Sequence, residues 1–341
     1  MSSDLSQPVQ NCLVENECFG RAGSPSYVVK TRQLFLRGSF VLEFPDLNTG
    51  QSRMTSAYRL LTAFSVAFVL SCGSVRIATA FEGTPTPDGM LYPLAVTVAA
   101  DDTIYVADRE LPGVWKFSDG KWSIYFQGSK KFRTPLNAVR CLAIDDKGKL
   151  LAGDSSTREI YRFDDNNQPQ PLTNGGVGIP MSLAVAKDGT IYAGDIEIQR
   201  IVKIPAAGGP AEIIAEVTAP RGLTIDDEGR LWVVSHGNDA VIRLSADGKE
   251  REVIVEGRPF QFQHHIVLGK EGEAYVADGY AKTIWKVKKG EKPEPFYAGE
   301  PLKNPVGLAW LKGSLLIADP HTKSILQRNA EGKLTVVGAT P

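Results

Sequence analysis

The chain says much the same thing six times between Tyr92 and Asp319, and this repetition limits the fold before any single motif is considered. The six stretches are YPLAVTVAADDTIYVAD from Tyr92, NAVRCLAIDDKGKLLAGD from Asn137, IPMSLAVAKDGTIYAGD from Ile179, APRGLTIDDEGRLWVVS from Ala219, FQHHIVLGKEGEAYVAD from Phe262 and NPVGLAWLKGSLLIAD from Asn304. They end at Asp108, Asp154, Asp195, Ser235, Asp278 and Asp319, about 40–46 residues apart, which is the period of a propeller blade.

Each repeat has the same inner order. A leading loop, often with Pro (Pro93, Pro180, Pro220, Pro305), gives way to a short apolar strand, then to a turn such as Asp188-Gly189 or Glu228-Gly229, then to a second strand. A third strand follows, from Gly113, Glu159, Arg200, Ala240, Thr283 and Ser324, and an outer strand closes the unit, as in AEIIAE from Ala211 or LTVVGA from Leu334. The second strands are apolar at nearly every position, so both of their faces must be covered. Small Ala and Gly residues near the start of the first strands fit a taper toward a central channel. The expectation is an all-β chain: one six-bladed β-propeller of four-stranded antiparallel blades over residues 81–341.

The segment before the repeats reads differently. Arg59 precedes the apolar run Leu60–Leu70, and Ala78-Thr79-Ala80 is a small-x-small cleavage site. A membrane helix needs roughly 20 apolar residues and this run is shorter, so 54–80 is expected to be a cleaved signal peptide with translation starting at Met54. Residues 1–53 then read as a disordered upstream extension, and the mature protein as an exported monomer, periplasmic or extracellular, without a stable membrane span. Lipid attachment at Cys72 is the lesser alternative. Three of the four cysteines lie before Ala80, leaving Cys141 alone, so the propeller has neither a disulfide nor a cysteine zinc cluster. A net charge of -1 supplies no basic excess for nucleic acid.

The repeat grammar, P-x-G-L-A-V-D-x-x-G-x-I-Y-V-A-D followed by a strand like R-I-V-K-I, resembles the NHL-repeat family and the gluconolactonase/regucalcin group. The resemblance spans nearly all of the chain after Ala80 and implies the six-bladed fold. Its members include lactonases, lyases, esterases and binding modules, so activity must be argued from the site. Gluconolactonase-like proteins hold a divalent metal with Asp and Asn in leading-loop motifs of the P-D-G-L and P-N-G-L type. The matching motif here is Pro220-Arg221-Gly222-Leu223, with Arg in place of Asp, and Met181 stands in the preceding blade. Peptidylglycine amidating lyase is similar in the fifth repeat: His264-His265-Ile266-Val267 resembles its metal-binding loop, and Asp278-Gly279-Tyr280 the turn that carries its catalytic Tyr. Its remaining zinc ligands would fall at Met181 and Leu94, so a zinc site would have to be rebuilt from His236, His264 or His265, and His321; the divalent metals the resemblance implies are zinc and calcium.

All four histidines fall in loops expected on one face, over the channel. The position just before each first strand holds Leu94, Arg140, Met181, Arg221, His264 and Val306, and these side chains are expected to ring the channel mouth. Arg140 and Arg221, with His264 and His265, would suit a carboxylate, sulfate or phosphate, since guanidinium offers a planar donor fork. A second reading pairs each Arg with an acid such as Glu197, Glu110 or Asp154. The strand-end aspartates are expected to fix turns by accepting backbone N–H groups. The leading functional expectation is binding of a small or peptide-like, anionic ligand over the channel. One alternative is a metal-assisted hydrolase or lyase using His264, Tyr280 and His236; another is a protein-interaction scaffold.

Overall fold

The computed structural model describes residues 89–338; the extension and leader read over 1–53 and 54–80 lie outside the described residues. Short strands joined by tight turns find their nearest partners in their chain neighbours, and six sheets of four consecutive antiparallel strands result. No helix occurs among the described residues. The innermost strands are Pro93–Val98, Val139–Ile144, Pro180–Val185, Pro220–Ile225, Gln263–Leu268 and Gly307–Leu311. Each packs beside the next, and the sixth packs back against the first, so the six blades close a ring around a channel. The third strands begin within a residue of their expected starts, at Gly113, Glu159, Arg200, Asp239, Thr283 and Ser324.

The continuous apolarity of the second strands is explained by where they sit. Four of them, Leu150–Asp154, Ile191–Asp195, Leu231–Ser235 and Ala274–Asp278, are buried at every residue, because a neighbouring blade covers each face. Hydrophobic clusters fill the spaces between adjacent blades, each fully buried Val, Leu or Ile contributing about 1.5–3 kcal/mol. Near the axis the blades must approach closely. A Cβ on Gly222 would lie 2.9 Å from the His265 Cα, and one on Gly307 would lie 3.0 Å from the Leu94 carbonyl oxygen. Only glycine allows those two contacts.

Ring closure uses packing rather than a shared blade: the first and last strands belong to different sheets. Val96, Val106 and Trp115 of blade one meet Leu316, Ala318 and Ile325 of blade six. The Trp122 Nε1–H also donates to the Val337 carbonyl at 3.0 Å.

The strand-end aspartates do what their position suggests, and more. Asp278 is fully buried and accepts backbone N–H groups from Gln261 at 2.8 Å, Phe262 at 2.8 Å and Ala281 at 3.2 Å, plus the Trp285 Nε1–H at 3.3 Å. Asp108, Asp195 and Asp319 likewise join their leading loop to the turn after the second strand. In blade four Ser235 substitutes, donating to the Thr218 carbonyl at 2.7 Å and accepting from Gly237 at 2.9 Å. One small side chain per blade thus fixes the two loops that form the upper face. The glycine-rich run at Asn174–Gly178 is a blade connection, held by Gly175 N–H on the buried Glu159 carboxylate at 2.7 Å and Gly178 N–H on Asp195 at 2.6 Å.

Candidate ligand site at the channel mouth

The six positions expected at the mouth are brought together there by a backbone irregularity. In blades one to five the pairing of first and second strands slips at the second residue of the first strand: Pro93 faces Asp108 and Ala95 faces Ala107, leaving Leu94 without a partner. The same slip isolates Arg140, Met181, Arg221 and His264. In blade six the ladder begins at Gly307, one residue after Val306. A bulge turns its extra side chain out of the strand's alternation, and here it turns those five into the channel, where Val306 joins them from just ahead of its ladder. All six line a single cavity of about 190 Å³, joined by Tyr92, Arg109, His265 and Asn304.

The charge in this cavity is unbalanced. The acids considered as partners for its arginines are engaged elsewhere: Glu197 pairs with Arg158, Glu110 pairs with Arg109 at 3.6 Å, and Asp154 accepts from Ala138 N–H and Ser156 N–H. Neither Arg140 nor Arg221 forms an ion pair among the described residues. Arg140 Nε–H donates to the Ser155 hydroxyl at 3.0 Å, while the buried Arg221 Nε has no hydrogen-bond partner among the described residues. Burial lowers the pKa of both guanidiniums from the ordinary value. The charge of Arg109 adds to this at Arg140, and the charge of Arg140 adds to it at Arg221. These side chains are half-buried cations that repel one another, an arrangement an anion would relieve.

Blade five adds an aromatic hub that sequence reasoning missed. Phe262 has His236 edge-on at 4.6 Å, His264 at 4.9 Å, Tyr280 stacked at 4.6 Å and the Arg221 guanidinium at 5.0 Å from its ring centre. A cation over an aromatic face is favourable, so the ring both orients Arg221 and offsets part of its desolvation. The only local sign in the sequence is that Phe262 immediately precedes the run Gln263-His264-His265. His236 donates its Nε2–H to the Gln263 carbonyl at 2.7 Å, which fixes the tautomer, and burial lowers its pKa. His236 and the largely exposed Tyr280 stand around Phe262, outside the cavity lining.

His264 is pushed down to about 3, by burial first and by the charge of Arg221 next, so its imidazole is neutral at physiological pH. His265 is pushed down to about 4 by burial, and its enclosed Nδ1 has no partner among the described residues. Asn304 contributes a buried Oδ1 that also lacks a donor among those residues. A Cβ on Gly279 would lie 2.2 Å from that oxygen and 3.1 Å from His264 Nε2, so both groups converge over the bare glycine.

The expected metal set does not assemble. Among the described residues no three His, Cys, Asp or Glu side chains gather as metal ligands. His236 and His264 each pack against Phe262, whereas His321 is exposed beside Tyr92, with ring centres 6.4 Å apart. The reason is an offset of one residue. Position 320, directly after the strand-end Asp, turns into the cavity, whereas His321 is the next residue and turns outward. The donor chemistry also does not fit calcium, which wants several oxygen ligands, since the lining presents three guanidiniums and no carboxylate.

The slot after the strand-end residue supplies Arg109 and Pro320 to the lining, Ser155 as the hydrogen-bond partner of Arg140, and His236 against the aromatic hub. Arg109 and Asn304 went unread in the sequence. The recurrence of that slot could have revealed Arg109.

Fold and site together describe a six-bladed β-propeller with a cationic channel mouth. The family model for the SMP-30/Gluconolactonase/LRE-like region matches residues 72–260, over half of the chain, and the protein belongs to that family. Solved structures share the fold. Virginiamycin B lyase from Staphylococcus aureus has a TM-score of 0.56 at 17% identity, covering 72% of this chain and 83% of its own. A gluconolactonase from Xanthomonas campestris has a TM-score of 0.58 at 16% identity, covering 68% and 85%. The nidogen/laminin complex has a TM-score of 0.56 at 16% identity, covering 71% and 91%. At these identities the likeness is one of fold. No curated protein matches the sequence.

Proposed function

We propose that the protein binds a small anionic ligand at the upper mouth of its propeller channel, with Arg140 and Arg221 as the charged anchors. His264 and His265 line the same space as neutral groups. The observation that carries this reading is the pair of half-buried guanidiniums without carboxylate partners, one with an unsatisfied Nε–H. A bound carboxylate, sulfate or phosphate would accept those hydrogen bonds and offset the repulsion. The test is calorimetric titration with such anions. Arg140→Ala and Arg221→Ala should each weaken binding roughly tenfold or more. A ligand bound equally well by wild type and both variants would overturn the reading.

A second reading, in which the bound ligand is turned over by a hydrolase or lyase, draws on the family and on the similarity to a lyase and a gluconolactonase. His264 is the group suited to it: a neutral imidazole that a neighbouring anion would make more basic. Loss of turnover in His264→Gln with binding retained would support this reading. Export completes the proposal and rests on the pattern over 54–80. A native protein beginning near Phe81 by N-terminal sequencing supports it, and one retaining residues 1–53 removes it.

A further inference from the structure

The cationic mouth continues past the cavity that defines it. A groove of about 400 Å³ between blades one and two is lined by Lys130, Glu110 and Asn137, and it shares Arg109 and Arg140 with the mouth. Across the two spaces, Arg109, Arg140, Arg221 and Lys130 face the single carboxylate of Glu110. Asp108 and Asp154 lie beneath this surface and moderate its field. They are fully buried, however, and their oxygens are taken by backbone N–H groups, Trp115 and Thr157. The surface therefore presents four donors of positive charge, and one singly charged group would leave most of that excess unmet.

The loop that carries Lys130 is built rather than loose. Gly128 N–H donates to the Pro112 carbonyl at 2.8 Å, and Lys131 N–H donates to the Ser129 hydroxyl at 3.0 Å. Asn137 Nδ2 donates to the Ser129 carbonyl at 2.9 Å, the Thr134 hydroxyl donates to the Lys131 carbonyl at 2.7 Å, and Leu136 is fully buried beneath. A loop held this way has already lost most of the conformational entropy that binding would otherwise cost. Lys130 itself forms no ion pair among the described residues, and the one carboxylate on Arg109 is the exposed Glu110.

We infer that the ligand is a small dianion with two separate anionic groups: one held by Arg140 and Arg221 in the channel mouth, the other by Arg109 and Lys130 in the groove between blades one and two. This rests on the anion-binding reading above and adds to it the ligand's charge and the direction in which it lies. A dicarboxylate and a phosphonocarboxylate meet the requirement equally, and the probe series separates them.

The experiment titrates the protein with butyrate, succinate, glutarate, adipate and 3-phosphonopropionate, measuring Kd at fixed ionic strength. At least one dianion should bind about tenfold or more tighter than butyrate, and Lys130→Ala should shrink that ratio to within about threefold. Equal binding of monoanion and dianions by the wild type would overturn the inference and leave the anion site standing. No binding of any probe would overturn both. A dianion preference that survives in Lys130→Ala and also in Arg109→Gln would place the second charge elsewhere and overturn the inference alone.

Discussion

At the upper end of the channel the six innermost strands present Arg140, Arg221, His264, Leu94, Met181 and Val306, whereas a few residues further along the same strands line a cavity of about 250 Å³ with Val96, Leu142, Leu183, Ile225, Val267 and Leu308. Strand, blade and axis are common to both ends; the backbone register is what differs. Below the slip the ladder runs unbroken, as in Ala95 to Val98 against Ala107 to Ile104, and side chains follow the ordinary alternation of a pleated sheet. At the slip one residue in each of blades one to five leaves that alternation and turns into the channel. The fold thus separates a surface that holds the ring together from a surface free to carry charge, and His265 lines both cavities at their junction.

The separation is broken most severely at the staples that hold the upper loops. Asp278→Ala removes the acceptor for three backbone N–H groups and one indole N–H in a fully buried position. At about 1–3 kcal/mol per buried group left unpaired, the loss should be on the order of 3–5 kcal/mol or more. Thermal melting should fall by many degrees, and anion binding should fail with it. A variant that melts like wild type would show that the upper loops hold their shape without the staple.

Acid should reach the two ends together, through the histidines. His264 and His265 are pushed down to about 3 and about 4 in the folded state, whereas an unfolded histidine titrates near 6.5. The unfolded chain therefore binds more protons below about pH 6.5, and stability falls as pH drops through that window. It is flat above that pH. At pH 5 the loss is up to about 2 kcal/mol for each residue. His264→Gln and His265→Gln should flatten the slope of melting temperature between pH 6.5 and 4. An unchanged slope in both would assign the acid sensitivity to other groups.

The lower end is the control. Leu142 is 7% exposed, packs between blades one and two, and lines the lower cavity. Leu142→Ala should cost about 2 kcal/mol, the low end of the range for such truncations, because a cavity already adjoins it. Anion affinity should be unaltered. A change in affinity of tenfold would show that the two ends are coupled through the strands they share.

Most of the fold was legible because it is written redundantly: period, turns and apolar second strands recur in every blade, so a weak signal in one is corrected by the others. The identity of the mouth residues was legible for the same reason, as a recurring slot. What was not legible depends on geometry that occurs once. The pairing of each arginine with a nearby acid was open in the sequence, and it is decided by which oxygens other arginines and the backbone have already taken. The hub at Phe262 draws on three loops of two blades. The metal reading of His236, His264 and His321 placed the right residue type on the right face, but it could not see a turn that directs position 320 inward and 321 outward.

The smallest change that should sharpen the contrast is at Gly279, beneath the point where His264 and Asn304 converge. A Cβ there meets the Asn304 Oδ1 at 2.2 Å and His264 Nε2 at 3.1 Å, both far ends of side chains rather than backbone. Gly279→Ala should therefore cost little stability, about 1 kcal/mol or less, since the site can yield without moving a strand. It cannot yield without moving the two neutral groups that share the cavity with the arginines. Anion affinity should fall severalfold while melting temperature changes by only a few degrees, the reverse of the pattern at Leu142. If Gly279→Ala binds like wild type, His264 and Asn304 stand clear of the ligand and recognition is confined to the arginines.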